Sequence, residues 1–401
     1  MIDFPYIRDL VQSTPTKIVM LVVDGLGGAP HPDTGKTELE TANLPNLDRL
    51  AGESASGMTI PVAPGITPGS GPGHMALFGF DPVKYLMGRG VLEALGIGIN
   101  LANGDIAARG NFCTVDASGR ITDRRAGRIA TEESVPLVEK LAGIQVPGVE
   151  MSVHPVKDHR FVLVLKGNNL GEAVSGTDPE KTGVVPLPAS AVSSESRNTA
   201  EAVNVFVSRA RDILRGQKKA NMVVLRGFSR LPSLPSMAAR YALKPAAIAA
   251  YPMYRGLAQM VGMEVLKTGA TFADELATLE KHHSSHDFFF LHYKPADAAG
   301  EDGDFAAKVV SLESLDREIP RLLKLNPDVL VVAGDHSTPA MLGAHGWQPV
   351  PLLIRSKWTK GEGTGGFSER ACRVGSLGTN PATSVMMLAM AHAGKLHKFG
   401  P

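Results

Sequence analysis

The run Lys17-Ile18-Val19-Met20-Leu21-Val22-Val23 is apolar and β-branched without a break, and it stops at Asp24-Gly25. A strand with one wet face alternates apolar and polar residues. An unbroken run marks a strand buried on both faces of a largely parallel sheet. The pattern recurs. Met222-Val223-Val224-Leu225 stops at Arg226-Gly227, and Ala246 to Ala250 leads into a helical stretch from Met253. Asp287 to Tyr293 ends in Lys294-Pro295-Ala296-Asp297, and Asp328 to Ala333 ends in Gly334-Asp335-His336. Pro351 to Ile354 forms a last short run. Between them lie helical patterns: Asn43 to Gly52, entered at Pro45 and closed by Gly52, and Ala306 to Leu325. Strands alternating with helices predict a doubly wound α/β sheet.

The middle of the chain reads differently. Strand signals at Asn111 to Val115 and Arg160 to Leu165 alternate with helical patterns at Thr131 to Ala142 and Thr199 to Leu214. This predicts a smaller inserted α+β domain over residues 101–215. Residues 1–100, including a short helix at Val91 to Leu95, and 216–401 then form the main domain. A chain of 401 residues exceeds one ordinary core, which agrees with two domains.

A net charge of +1, with 20% charged residues, argues against nucleic-acid and membrane-surface partners. Only two cysteines occur, Cys113 and Cys372, which disfavours a disulfide framework or a cysteine metal site. The start, Met1-Ile2-Asp3-Phe4, lacks the basic-then-apolar pattern of a signal peptide. No apolar run approaches the roughly 18–20 residues of a membrane span. The expectation is a cytoplasmic, soluble protein acting on a small molecule, with homo-oligomerisation left open.

Ligands of open α/β sheets bind beyond the carboxyl ends of the strands. Asp24, Asp297, Asp335 and His336 all lie within a few residues of such ends. Acids and imidazoles converging on one rim repel unless a cation holds them, and this donor set suits Mn²⁺, Zn²⁺, Mg²⁺ or a similar divalent ion. His345, nine residues after His336, and Glu301, four after Asp297, are within reach of the same rim. The serine of Thr67-Pro68-Gly69-Ser70-Gly71-Pro72-Gly73-His74 has glycine on both sides and precedes the apolar Met75-Ala76-Leu77-Phe78. That places Ser70 at a sharp turn into a helix, whose free N–H groups face whatever the hydroxyl attacks. A serine beside divalent ions points to phosphoryl or sulfuryl transfer through a seryl ester. A P-loop is excluded because no Gly-Lys-Ser/Thr follows the glycines. Asp24-Gly25-Leu26-Gly27-Gly28 also lacks the dinucleotide fingerprint spacing.

The chain resembles the archaeal-type, cofactor-independent phosphoglycerate mutases of the alkaline phosphatase superfamily over essentially its whole length. The resemblance is carried by Val23 to Gly27, Thr67 to His74 and Leu77-Phe78-Gly79-Phe80-Asp81-Pro82. Further matches are Gly88-Arg89-Gly90-Val91-Leu92-Glu93-Ala94-Leu95-Gly96 and Arg109-Gly110-Asn111-Phe112. Asp123-Arg124-Arg125-Ala126-Gly127-Arg128-Ile129, Asp297 with Gly303-Asp304, Gly334 to Ser337, and His345 complete the set.

What the resemblance implies is specific. The fold would be alkaline-phosphatase-like, and the activity the interconversion of 3-phosphoglycerate and 2-phosphoglycerate through phospho-Ser70. Two divalent ions would take part, Mn²⁺ first, with Zn²⁺, Co²⁺ or Mg²⁺ as alternatives, and no 2,3-bisphosphoglycerate. Asp24, Ser70, Asp335 and His336 would bind one ion; Asp297, position 301 and His345 the other. The family has histidine where this chain has Glu301. Arg109, Arg124, Arg125, Arg128 and, more weakly, Arg160 with His159 and, more weakly still, Arg226 would bind the substrate's phosphate and carboxylate. Asp123 would shuttle the proton between substrate hydroxyls, and closure of the insertion would exclude water. Two alternatives keep the same fold: a metal-dependent phosphatase or other phosphomutase, and a catalytically silent phosphometabolite-binding protein.

Overall fold

The computed structural model describes residues 6–99, 101–102 and 104–400; the N-terminal Met1-Ile2-Asp3-Phe4 reading lies outside them. The chain divides into two compact units, Met1–Leu86 with Leu234–Pro401, and Met87–Ser233. Strands β1 (Ile18–Val23) and β2 (Ala55–Ile60) come before the division. The second unit holds β3 (Ile106–Val115), β4 (Ile121–Asp123), β5 (Glu150–Pro155), β6 (Arg160–Lys166) and β7 (Met222–Ser229). The first unit resumes with β8 (Pro245–Ile248), β9 (Glu264–Val265) and β10 (Phe288–Tyr293). It ends with β11 (Val329–Ala333), β12 (Val350–Ser356) and β13 (Gly378–Pro381).

The first unit carries an eight-stranded sheet in the order β13-β2-β12-β11-β1-β10-β8-β9. Its centre is the predicted parallel set: β1 lies between β10 and β11, and every residue of the three is buried. Register places Val23 beside Tyr293, and Val22 beside both His292 and Ala333. The loops at Asp24, Lys294–Asp297 and Gly334–His336 therefore leave one edge side by side. The sheet is mixed rather than wholly parallel, because β12 runs antiparallel to both β11 and β2. Its core on one face includes Leu21, Val23, Leu291, Leu312, Leu315, Ile319 and Val332. The long helix Phe305–Lys324 contributes Leu312, Leu315, Ile319 and Leu322 at helical spacing.

The second unit is a five-stranded sheet joined antiparallel throughout, with β3 between β6 and β7. The helices Thr131–Ala142 and Arg197–Leu214 belong to this unit, and Leu137, Val203 and Phe206 lie in its core. The boundaries fall at 86/87 and 233/234 rather than at 100/101 and 215/216. Two elements make the difference. Met222–Ser229 pairs with β3, Val223 opposite Phe112, instead of joining the large sheet. The helix Arg89–Gly96 lies against β3: a methyl on Gly90 would sit 2.3 Å from the carbonyl oxygen of Ala107. An unbroken apolar run satisfies the core of either sheet, so the sequence pattern alone does not choose between them.

Candidate active site

Ser70 is the first residue of the helix Ser70–Leu77, with Gly69 in extended conformation as its cap. The helix presses on the β11 loop: a methyl on Gly73 would lie 2.2 Å from the carbonyl oxygen of Asp335. Glycine at 73 is what lets Ser70 approach the loop ligands. Ser70 Oγ lies 3.1 Å from His336 Nε2. The same nitrogen is 3.3 Å from Asp24 Oδ1 and 3.1 Å from Asp335 Oδ2. Asp24, Asp335 and His336 are fully buried. Their ligand atoms form one cluster able to hold a cation.

A second cluster is Asp297, His336 and His345. Asp297 Oδ1 lies 3.9 Å from His336 Nδ1 and 3.7 Å from His345 Nε2, and the two imidazoles stack with centroids 3.7 Å apart. Glu301 sits on the same short helix as Asp297, and its Oε1 is 3.5 Å from His345 Nε2. Glu301 therefore turns toward this cluster, although its side chain is 54% exposed. His345 Nδ1 bonds the carbonyl of Pro68, tying this group to the Ser70 loop.

The electrostatics fit a cation. Three buried aspartates face one another, and among the described residues Asp24 Oδ1 and Asp335 Oδ2 meet imidazole nitrogens without a well-aligned hydrogen bond. Burial and the Asp24 charge push the Asp297 carboxyl up. Burial opposes the charge on Asp24, but bonds with His292 and His336 and the Lys294 ammonium hold it well below the usual range. Burial would lower His336, yet Asp335 and Asp24 bring it to about 9. Carboxylate and imidazole donors with a hydroxyl alongside are a suitable set for Mn²⁺ or a similar ion.

Several neighbours went unremarked in the sequence. Lys294 Nζ lies 3.1 Å from both Asp24 Oδ2 and Tyr254 Oη, and also bonds Asp297. Tyr254 donates to Asp24 and stacks on His292, whose Nε2 is 3.1 Å from the same carboxylate oxygen. His74 Nδ1 is 2.8 Å from the Ser70 carbonyl and 3.1 Å from Asp335 Oδ2. Lys294 was within reach of sequence reasoning, standing between His292 and Asp297 just past a strand end. Tyr254 lies inside a helix where nothing local marks it, and His74 closes the Thr67 to His74 stretch without a role being read for it.

The second unit has its own polar cavity of about 460 Å³, lined by Arg89, Arg109, Arg124, Arg125, Arg128, Arg160 and Arg226 among others. All five arginines expected to bind substrate line it, with the weaker candidates His159 and Arg226, and Arg89 joins them. Arg124 makes a forked bond to buried Asp178, Nε at 3.2 Å and Nη2 at 2.9 Å. Arg109 Nε lies 3.2 Å from Glu93, and Arg226 Nη1 bonds Glu180 at 2.7 Å. Burial lowers the Arg109 pKa to about 10, so it stays charged at neutral pH. Burial and the Arg160 and Arg109 charges lower His159 to about 4. Among the described residues, Arg89, Arg125 and Arg128 have no carboxylate partner, which leaves unbalanced positive charge for an anion.

Asp123 is not among the residues lining this cavity. Its carboxylate accepts the N–H of Arg125 at 2.8 Å and of Gly127 at 2.6 Å. The turn it holds is unusual. Ala126, Gly127 and Arg128 are all left-handed, with φ of 49°, 66° and 51°. Such backbone costs roughly 1–2 kcal/mol per non-glycine residue and needs local support. The Asp123 carboxylate supports the backbone of the arginine turn through these two bonds.

Comparison with known proteins gives the chain's family. The family model described as 2,3-bisphosphoglycerate-independent phosphoglycerate mutase matches residues 51–219. The chain is 49% identical to a Thermus thermophilus protein over 99% of both chains, and 50% identical to a Thermotoga maritima protein over 98% of both. Both carry the name "Probable 2,3-bisphosphoglycerate-independent phosphoglycerate mutase". Among solved structures, a Pyrococcus horikoshii protein matches with a TM-score of 0.85 at 28% identity, covering 97% of this chain and 100% of the other. The cofactor-independent phosphoglycerate mutase of Thermoplasma acidophilum matches with a TM-score of 0.72 at 29% identity, covering 94% and 100%. No helix among the described residues is long and apolar enough to cross a membrane. The chain belongs to the 2,3-bisphosphoglycerate-independent phosphoglycerate mutases, a family of isomerases.

Proposed function

We propose that this chain is a cytoplasmic enzyme of glycolysis and gluconeogenesis. It interconverts 3-phosphoglycerate and 2-phosphoglycerate through phospho-Ser70, with two divalent ions and no bisphosphoglycerate. Asp24, Ser70, Asp335 and His336 would hold one ion, and Asp297, Glu301 and His345 the other, Mn²⁺ being the first choice. Such ions supply acidification of a hydroxyl and neutralisation of phosphoryl charge.

The chain's own groups do the rest. The Ser70 hydroxyl gives up its proton as its oxygen attacks phosphorus, the bond from phosphorus to the substrate's 3-oxygen breaks, and that oxygen takes up a proton, leaving the proton count unchanged. The glycerate turns, its 2-hydroxyl attacks phospho-Ser70 and loses its proton, and the serine oxygen is released. The N–H groups opening the Ser70 helix face the phosphoryl group. The Lys294 ammonium, bonded to Asp24 and Asp297, adds positive charge beside it. Arg89, Arg125 and Arg128 supply guanidinium groups suited to forked contacts with carboxylate or phosphate. Asp123 fixes the turn that presents Arg125 and Arg128.

The observation that carries this reading is Ser70 Oγ at a helix N-terminus, 3.1 Å from a buried His336 whose same nitrogen also lies against buried oxygens of Asp24 and Asp335. Rapid acid quench of Mn²⁺-loaded protein with 3-phosphoglycerate, followed by peptide mass spectrometry, tests it. Phosphate on the Ser70 peptide during turnover is expected. Turnover that persists in Ser70→Ala would overturn the reading.

A further inference from the structure

Beneath the ligand-bearing loops lies a fully buried ammonium that the chemistry above does not use. Lys308, on the helix Phe305–Lys324, has no exposed surface. Its Nζ donates to the carbonyl of Gly27 at 2.9 Å and to the carbonyl of Thr338 at 2.7 Å. Gly27 stands three residues after Asp24, and Thr338 two residues after His336. Two buried acids extend the contact. Glu38, whose Oε1 is 4.0 Å from Lys308 Nζ, accepts the N–H of Ala340 at 2.7 Å. Glu369 accepts the N–H of Gly28 at 2.9 Å and the hydroxyl of Thr37 at 2.7 Å.

The loops themselves leave little slack here. Thr338 N–H also bonds the Gly27 carbonyl, at 3.0 Å. A methyl on Gly27 would lie 1.9 Å from Ser337 Oγ, and one on Gly28 equally close to Glu38 Oε2. A methyl on Gly300, in the Asp297 helix, would lie 2.3 Å from the same Thr338 carbonyl that Lys308 binds. Three segments carrying Asp24, His336 and Asp297 thus meet over one ammonium.

Burying a lysine costs several kcal/mol unless its partners repay it, and an apolar residue would fill the space without that cost. Metal ligands on separate loops need a supporting layer that sets their spacing within a few tenths of an ångström. We propose that Lys308, with Glu38 and Glu369, is a positioning cluster that holds the Asp24 and Asp335–His336 loops at metal-binding distance. It raises metal affinity as distinct from global stability. The proposal rests on the two-ion reading above.

Manganese titrations followed by electron paramagnetic resonance, which reports free Mn²⁺, test it in the full-length protein. Lys308→Met keeps the stem and removes the ammonium, but strands Glu38. The double variant Lys308→Met with Glu38→Gln removes both charges while keeping an acceptor for Ala340. The double variant is expected to melt, metal-free, within a few degrees of wild type. Its Mn²⁺ dissociation constant should rise at least tenfold, and activity should return at saturating Mn²⁺. Unchanged Mn²⁺ affinity with a lowered melting temperature would make the cluster purely structural and overturn the proposal. Wild-type protein that binds no Mn²⁺ would overturn the two-ion reading itself, and the positioning role with it.

Discussion

Replacing Asp123 with alanine separates a residue that shapes a turn from one that moves a proton. The wild-type carboxylate accepts two backbone N–H groups, from Arg125 and Gly127. Hydrogen bonds to a charged acceptor contribute about 1.5–3 kcal/mol each, and the lower end suits this exposed turn. Their joint contribution is then about 3 kcal/mol. Against it stand two left-handed non-glycine residues, Ala126 and Arg128, costing about 1 kcal/mol or more each. Without the carboxylate the turn relaxes, and Arg125 and Arg128 are presented only part of the time. At 1.4 kcal/mol per tenfold, a loss of 1.5–3 kcal/mol weakens substrate binding by about ten- to a hundredfold. Asp123→Ala should therefore raise KM by that factor while kcat changes little. Asp123→Asn, which keeps one acceptor oxygen, sets its amide N–H₂ against the other backbone N–H and cannot carry the proton, should recover only part of the loss. Steady-state kinetics in the direction from 3- to 2-phosphoglycerate measures both variants. If Asn and Ala lower kcat alike, by a hundredfold or more at unchanged KM, Asp123 is an acid–base catalyst and the argument from the turn is refuted.

Other outcomes follow from the same geometry. Gly73→Ala places a methyl 2.2 Å from the Asp335 carbonyl, a backbone atom that cannot swing aside. It should cost about 1–3 kcal/mol in denaturant unfolding and abolish Ser70 phosphorylation; wild-type values for both would contradict the contact. Burial raises the Glu275 carboxyl to about 8 from 4.5. The folded state then holds more protons than the unfolded state between those values, so stability falls as pH rises from about 5 to 8. The slope should not exceed about 1.4 kcal/mol per pH unit. Glu275→Gln, which can still accept the Ala250 N–H, should flatten that decline in pH-dependent melting, and an identical pH profile would refute the assignment. Chelator-stripped protein should gain about 2.7 kcal/mol of stability when Mn²⁺ reaches a hundredfold excess over its dissociation constant. No rise in melting temperature would argue against ions among the buried aspartates.

Much of the site was legible because it hangs on strand ends. Asp24, Asp297 and Asp335–His336 follow unbroken apolar runs, and parallel pairing of β1, β10 and β11 brings those ends together. The glycines beside Ser70 announced the sharp turn into a helix, while the approach of Gly73 to Asp335 appears only in the structure. What escaped was decided by partners distant in sequence. Ala55–Ile60 and Gly378–Pro381 are strands whose serine, glycine and threonine content resembles loops. They are extended because β12 and each other complete their hydrogen bonds. Met222–Leu225 had the composition of the large sheet, and only its pairing with β3 assigns it to the smaller one. Arg89 joins the arginine cavity through folding of the insertion, and no local pattern connects it to Arg124 or Arg125. Tyr254, His292 and His74 surround Asp24 and Asp335 from separate elements, so their role appears only in three dimensions.

The most direct test of the central claim is phosphorus NMR of 3-phosphoglycerate with chelator-stripped, Mn²⁺-reloaded protein and no bisphosphoglycerate. The account predicts a growing 2-phosphoglycerate resonance that is absent with Ser70→Ala. Accumulation of inorganic phosphate without 2-phosphoglycerate would contradict it and make this chain a phosphatase on the same fold.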